Sequence, residues 1–130
     1  MIGNNCFPDT NIIIALLNGE DNLASKLDLY DTIYLSSIVL GELYYGAYGS
    51  ANKAKNLDRI KKFIERSTLI FPDESTSAMY GQIKANLKKK GRPIPENDVW
   101  IAALAVQHKT VLATRDGHFK EVTNLKTVKW

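Results

Sequence analysis

Asp9, Glu42, Asp98 and Asp116 are the acids whose surroundings invite a chemical reading. Asp9 stands where a short apolar run ends and the helix-like pattern Ile12-Ile13-Ile14-Ala15-Leu16-Leu17 begins. Glu42 falls early in the helix expected after a second strand, Asp98 opens an apolar helix, and Asp116 follows a fourth strand. In an open α/β sheet that rim is where ligands bind. The loops leave a crevice there, and the following helices aim their positive N-termini at it. If the acids converge, each pair of carboxylates about 5 Å apart repels by roughly 3 kcal/mol at an effective dielectric near 20. A divalent cation removes that penalty, and Mg²⁺ or Mn²⁺ prefers carboxylate and water oxygens. Such an ion keeps bound water, polarises a phosphate oxygen and generates an attacking hydroxide, which is the equipment for phosphodiester hydrolysis. Each acid alone has an ordinary explanation: Asp9 and Asp98 as helix caps, Glu42 on a solvated face, Asp116 in a turn. Only a shared rim favours chemistry.

The elements that must create this rim follow in order. Asn18-Gly19 stops the first helix, and Leu23, Leu27 and Tyr30 mark a second short one, completing a helical hairpin. Thr32-Ile33-Tyr34-Leu35 reads as a strand ending at the helix N-cap signal Ser36-Ser37, and the next helix carries Ile38, Glu42 and Tyr45 along one side. Ala54, Leu57, Ile60, Phe63 and Ile64 recur at helical intervals among basic residues. Ser67 to Phe71 gives a third strand, and Asp73 to Lys90 a helix that ends at Gly91. The prolines of Arg92-Pro93-Ile94-Pro95-Glu96-Asn97 imply a largely extended loop up to Asp98. Asp98 to His108, apolar on nearly every side and rich in alanine, reads as a buried helix. Thr110-Val111-Leu112-Ala113 is a fourth strand, residues 114 to 119 a loop, and Thr127-Val128 with Trp130 a fifth strand. Strands separated by helices throughout predict a three-layer α/β/α sandwich with a central parallel sheet of four or five strands.

Composition narrows the class. A chain of 130 residues, 45% hydrophobic and 24% charged, suits one compact domain spanning 1–130 that folds unaided. The longest apolar run, Val99 to Val106, falls well short of the roughly 20 residues needed to span a bilayer. The first residues, Met1-Ile2-Gly3-Asn4-Asn5, lack the features of an export signal, so a cytoplasmic location is expected. With Cys6 the single cysteine, an intrachain disulfide or multi-cysteine zinc site is excluded. His108 and His118 lack the spacing of a zinc-binding helical pair, so a metal would rely mainly on oxygen. The net charge of +3 permits an anionic partner without requiring one. Lys84, Lys88, Lys89, Lys90 and Arg92, with no acid among residues 84 to 92, could track a phosphate backbone or simply form a solvated helix end.

Asp9-Thr10-Asn11, Glu42-Leu43 followed by Gly46, Asn97-Asp98 leading into Ile101-Ala102-Ala103, and Thr114-x-Asp116 with Phe119 resemble the motifs of the PIN-domain ribonucleases, most closely the VapC-type toxins. The resemblance covers nearly the whole chain; each motif is short, and it is their order and spacing together that are specific. It implies a Mg²⁺- or Mn²⁺-dependent endoribonuclease in which Asp9, Glu42, Asp98 and Asp116 bind metal, with Asn11, Ser36 and Thr114 as supporting polar groups. It also implies homodimerisation and inhibition by a VapB-like antitoxin, whose inserted Arg or Lys would suit an acidic cup. Lys88, Lys89, Lys90 and Arg92 are then candidate RNA contacts. Pro8 departs from the bulky aliphatic residue usual in the family, so that strand one either ends early or has a distorted rim.

Other classes fit less well. A catalytically impaired RNA-binding or partner-binding module would keep the fold and lose turnover. An aspartyl-phosphate enzyme would want an acid at position 11, which is Asn, and no Gly-x-Ser-x-Gly elbow of a serine hydrolase occurs.

Overall fold

The computed structural model describes residues 4–130. Five strands, β1 (Asn5–Pro8), β2 (Thr32–Ser36), β3 (Thr68–Ile70), β4 (Val111–Ala113) and β5 (Thr127–Val128), form one parallel sheet in the order β3-β2-β1-β4-β5. Six helices surround it: α1 (Thr10–Leu17), α2 (Leu23–Leu27), α3 (Ser37–Tyr48), α4 (Lys53–Glu65), α5 (Glu74–Lys90) and α6 (Glu96–Gln107). They cover both faces, giving the expected three-layer α/β/α arrangement.

The strand order matters most for the site. From β1 the sheet grows through β2 to β3. The chain then crosses back through α5 and α6 to β4, on the other side of β1, and continues to β5. The neighbouring carboxyl ends of β1 and β4 therefore feed loops that depart in opposite directions, which opens a crevice between them.

Burial explains why the sheet holds together. Ile12, Ile13, Leu35, Val39, Ile101, Leu104, Leu112 and Phe119 are buried in one contiguous core. Each such side chain contributes about 1.5–3 kcal/mol of transfer free energy. Helix α6 is the most enclosed of the helices, with Val99 and every residue from Ile101 to Ala105 buried, as its lack of a polar face predicted. Cys6 is fully buried in β1, and desolvation pushes its thiol up to about 12, making it an inert core residue.

Two local expectations need revision. Helix α6 begins at Glu96, two residues before Asp98, with Pro95 as its N-cap. Each proline restricts only its predecessor, so Pro95 disfavours helix at Ile94 and leaves Glu96 and Asn97 free to form the first turn. The loop after β4 also contains a 3₁₀ turn at Gly117–Glu121, capped by Asp116 and anchored by buried Phe119. A single turn is too short to leave a periodic apolar signature.

Pro8 is the last residue of β1 and does not distort its rim. The β1–β2 ladder runs through Asn5↔Thr32 and Cys6↔Ile33 and does not reach Pro8. On the other side Pro8 pairs with Ala113, and the next residue, Asp9, donates its backbone N–H to the Ala113 carbonyl at 2.8 Å. The strand ends early, and Asp9 is held in register with β4.

Candidate metal centre

Asp9 leaves β1 with extended backbone (φ −71°, ψ 163°) and serves as the N-cap of α1. Its Oδ1 accepts from Thr10 N at 2.8 Å, and its Oδ2 accepts from the Thr114 hydroxyl at 2.8 Å. The side chain is only 6% exposed. Capping and cleft lining are thus compatible roles for one residue. Thr114, at the end of β4, also accepts from Asp116 N at 3.0 Å, so one buried hydroxyl sets both Asp9 and the course of the Asp116 loop.

Glu42 projects from α3, where its Oε1 accepts from the Thr10 hydroxyl at 2.7 Å. Asp98 lies in the first turn of α6, where the helix dipole favours an acid. Asp116 follows β4. All four acids line one open cleft of about 600 Å³, together with Thr10, Asn11, Ile14 and the α6 start Pro95-Glu96-Asn97.

The remaining sequence candidates fall differently. Asn11 is exposed at the cleft wall. Ser36 is not among the cleft-lining residues; its fully buried hydroxyl caps α3 by accepting from Val39 N at 3.1 Å. Lys88, Lys89 and Arg92 are exposed at and just beyond the end of α5, outside the cleft lining. Lys90 is partly engaged, donating to the Glu121 carbonyl at 3.0 Å. Glu96 faces the cleft but is tied up elsewhere, paired with Lys84 at 2.7 Å and accepting from the Tyr80 hydroxyl.

Two contributors escaped the sequence reading. Thr10 orients Glu42 across a separation of 32 residues, which no local pattern reveals. His118 reaches Asp98 Oδ2 through Nε2 at 2.6 Å and Asp116 Oδ1 through Nδ1 at 2.5 Å. Its spacing of two residues from Asp116 is the available signal, and the single 3₁₀ turn that carries it leaves no periodic pattern to reveal where the ring lies.

Electrostatics register the crowding. Burial raises the Asp9 carboxyl above the ordinary range, and the charges of Asp98 and Glu42 raise it further, while the hydrogen bonds from Thr114 and Thr10 oppose the rise. Burial likewise raises Asp98, opposed by His118 and assisted by Asp116 and Glu42. Among the described residues, Glu42 Oε2, Asp98 Oδ1 and Asp116 Oδ2 have no hydrogen-bond partner. Carboxylate oxygens left free in a crowded acidic cleft are the donor set that a hard divalent cation requires.

The sign of the pH dependence follows. Asp9 and Asp98 hold their protons to higher pH in the folded protein than in the unfolded chain. The stability this gives is fully present below the unfolded carboxylate pKa and is lost as pH rises through the raised folded values. In EDTA, the melting temperature of Asp9→Asn minus that of the wild type is expected to increase across that window and then level off. Saturating divalent cation is expected to reverse the variant's advantage. Thermal melts across pH check this, and a difference independent of pH contradicts it.

The comparisons with known proteins agree with this geometry. The PIN domain family model matches residues 6–125. Ribonuclease VapC1 of Haemophilus influenzae is 36% identical over 127 residues, spanning 94% of this chain and 95% of the relative. The tRNA(fMet)-specific endonuclease VapC of Shigella flexneri is 32% identical over 125 residues, with the same coverage. Among solved structures, VapBC2 from Rickettsia felis, bound to a DNA fragment from its promoter, superposes with a TM-score of 0.91 at 32% identity, covering 97% of this chain and 98% of that one. This chain therefore belongs to the PIN-domain family, among the VapC ribonucleases.

Proposed function

We propose that this chain is a Mg²⁺- or Mn²⁺-dependent endoribonuclease that acts as the toxin of a type II toxin-antitoxin pair. The observation that carries the reading is the meeting of Asp9, Glu42, Asp98 and Asp116 in one cleft of a VapC-type fold. Asp9, Glu42, Asp98 and Asp116 would hold the ion through the oxygens described above. A bound Mg²⁺ or Mn²⁺ supplies positive charge beside the scissile phosphate and acidifies a water for attack on phosphorus.

The chain's own groups prepare that chemistry. Thr114 and the Thr10 N–H fix both oxygens of Asp9, so its carboxylate needs little reordering when charge arrives. The Thr10 hydroxyl fixes one oxygen of Glu42 and leaves the other free. Asn11, exposed on the wall, offers an amide to the nucleic-acid backbone. Lys88, Lys89 and Arg92 supply exposed positive charge for phosphates away from the cut. An open cleft accommodates a polymer passing through, as an endonuclease requires.

The alternative of a non-cleaving binding module is separated by turnover. Asp98→Asn is expected to lower RNA cleavage by at least about 100-fold, beyond the roughly 10–100-fold cost typical of losing a supporting partner. The fold should be retained, as read by circular dichroism, and EDTA should stop the wild type. Cleavage by Asp98→Asn at the wild-type rate, or cleavage insensitive to EDTA, contradicts the reading.

Inhibition by an antitoxin fits the surface beside the cleft. An apolar groove of about 200 Å³ is lined by Ile14, Leu17, Leu43, Ala47 and Ile60, and Ile14 also lines the acidic cleft. A partner's amphipathic helix in the groove could thus continue past Ile14 and place an Arg or Lys among the acids. Leu17→Lys is expected to retain RNA cleavage while escaping inhibition by the co-expressed antitoxin at least tenfold, equivalent to about 1.4 kcal/mol of binding. Undiminished inhibition of that variant contradicts the groove assignment.

A further inference from the structure

His118 sits between two of the four acids, with a carboxylate at each ring nitrogen: Asp98 Oδ2 at 2.6 Å from Nε2 and Asp116 Oδ1 at 2.5 Å from Nδ1. One donor atom from each of the three residues falls within a common span of 4.8 Å. Octahedral sites with bonds of about 2.1 Å separate neighbouring ligands by about 3 Å, so His118 Nε2 and Asp98 Oδ2, 2.6 Å apart, need only a small shift to share one ion.

The two ends of the ring are not equivalent. Asp116 belongs to the same turn as His118 and also accepts the histidine's backbone N–H at 3.3 Å, so it is a local partner. Asp98 comes from a different element, α6, and approaches the ring from 20 residues away in sequence, although both acids line the cleft with Glu42 and Asp9. Metal-bound histidines commonly direct one nitrogen at the ion and donate the other N–H to a carboxylate, which fixes the tautomer and ring orientation. Phe119, the next residue, is buried in the core and its ring lies 5.0 Å from the imidazole, holding the turn in place.

We infer that His118 Nε2 is a ligand of the catalytic ion, shared with Asp98, while Nδ1–H remains on Asp116. The inference rests on the metal-dependent nuclease reading and deepens it. It makes the site a mixed nitrogen and oxygen site. Imidazole suits transition metals, whereas Mg²⁺ favours an oxygen shell, so His118 tilts the site toward Mn²⁺. Asp116, which keeps Nδ1–H, then acts on this ion by orienting its ligand rather than by binding it directly, which refines the four-acid reading above.

The test uses the full chain with Mn²⁺ or Mg²⁺ alone, without RNA. Pulsed electron paramagnetic resonance of the Mn²⁺-loaded wild type is expected to show nitrogen-14 coupling from one imidazole, and His118→Gln to abolish it. His108 provides no substitute source, since it caps the far end of α6 against Tyr34. In calorimetric titrations His118→Gln is expected to weaken Mn²⁺ binding about tenfold while changing Mg²⁺ binding less than about twofold. Bound Mn²⁺ without nitrogen coupling, coupling that survives His118→Gln, or equal losses for both ions would each overturn the assignment. Should the wild type bind neither ion, the metal-dependent reading itself falls and this assignment with it. The His118→Asn variant provides a second readout in which selectivity for Mn²⁺ is again expected to drop.

Discussion

Like charges brought to one crevice are the constraint on which the local structure turns. The reversal of sheet order between β1 and β4 gathers Asp9 and Asp116 at neighbouring strand ends, while α3 and α6 bring Glu42 and Asp98 toward them. The surroundings answer with hydrogen bonds rather than with an internal Arg or Lys. Thr114 and Thr10 each serve an acid, and Glu96, the remaining carboxylate on the cleft wall, is neutralised outward by Lys84. Such an arrangement limits repulsion without filling the cleft. It leaves oxygens free, while burial raises the proton affinity of Asp9 and Asp98, conditions that a divalent cation relieves.

Much of this was legible from local patterns. The period of apolar residues identified the helices, the β-branched runs identified the strands, and their alternation required a parallel sheet. The positions of Asp9, Asp98 and Asp116 relative to those elements followed from the same reading, since an acid just past a strand or just inside a helix has its location set by a few neighbours. Glu42 was directional once its helix was read. What sequence could not convey was side-chain pairing across the chain. Thr10 with Glu42 and Thr114 with Asp9 depend on strand order, which the alternation of elements leaves open. Ser36 illustrates the converse: a serine at a strand end near the rim looks available, yet its hydroxyl is committed to the first turn of α3.

Short irregular structure was the other blind spot. The 3₁₀ turn at Gly117–Glu121 and the first turn of α6 are each too brief to print a period, and both border the cleft. The turn carries His118 to the acids, and the earlier start of α6 brings Glu96 to the wall. Pro8 also shows how a residue unsuited to a central strand is accommodated at its last position, where the β2 ladder has already ended.

The central claim is that folding builds a cation site in this acidic cleft, and anomalous diffraction from crystals soaked in Mn²⁺ tests it most directly. A single strong peak within about 2.5 Å of carboxylate oxygens of Asp9 and Asp98 is the predicted result. Crystals that take up no Mn²⁺ in the cleft, or that bind it away from both acids, would contradict the claim.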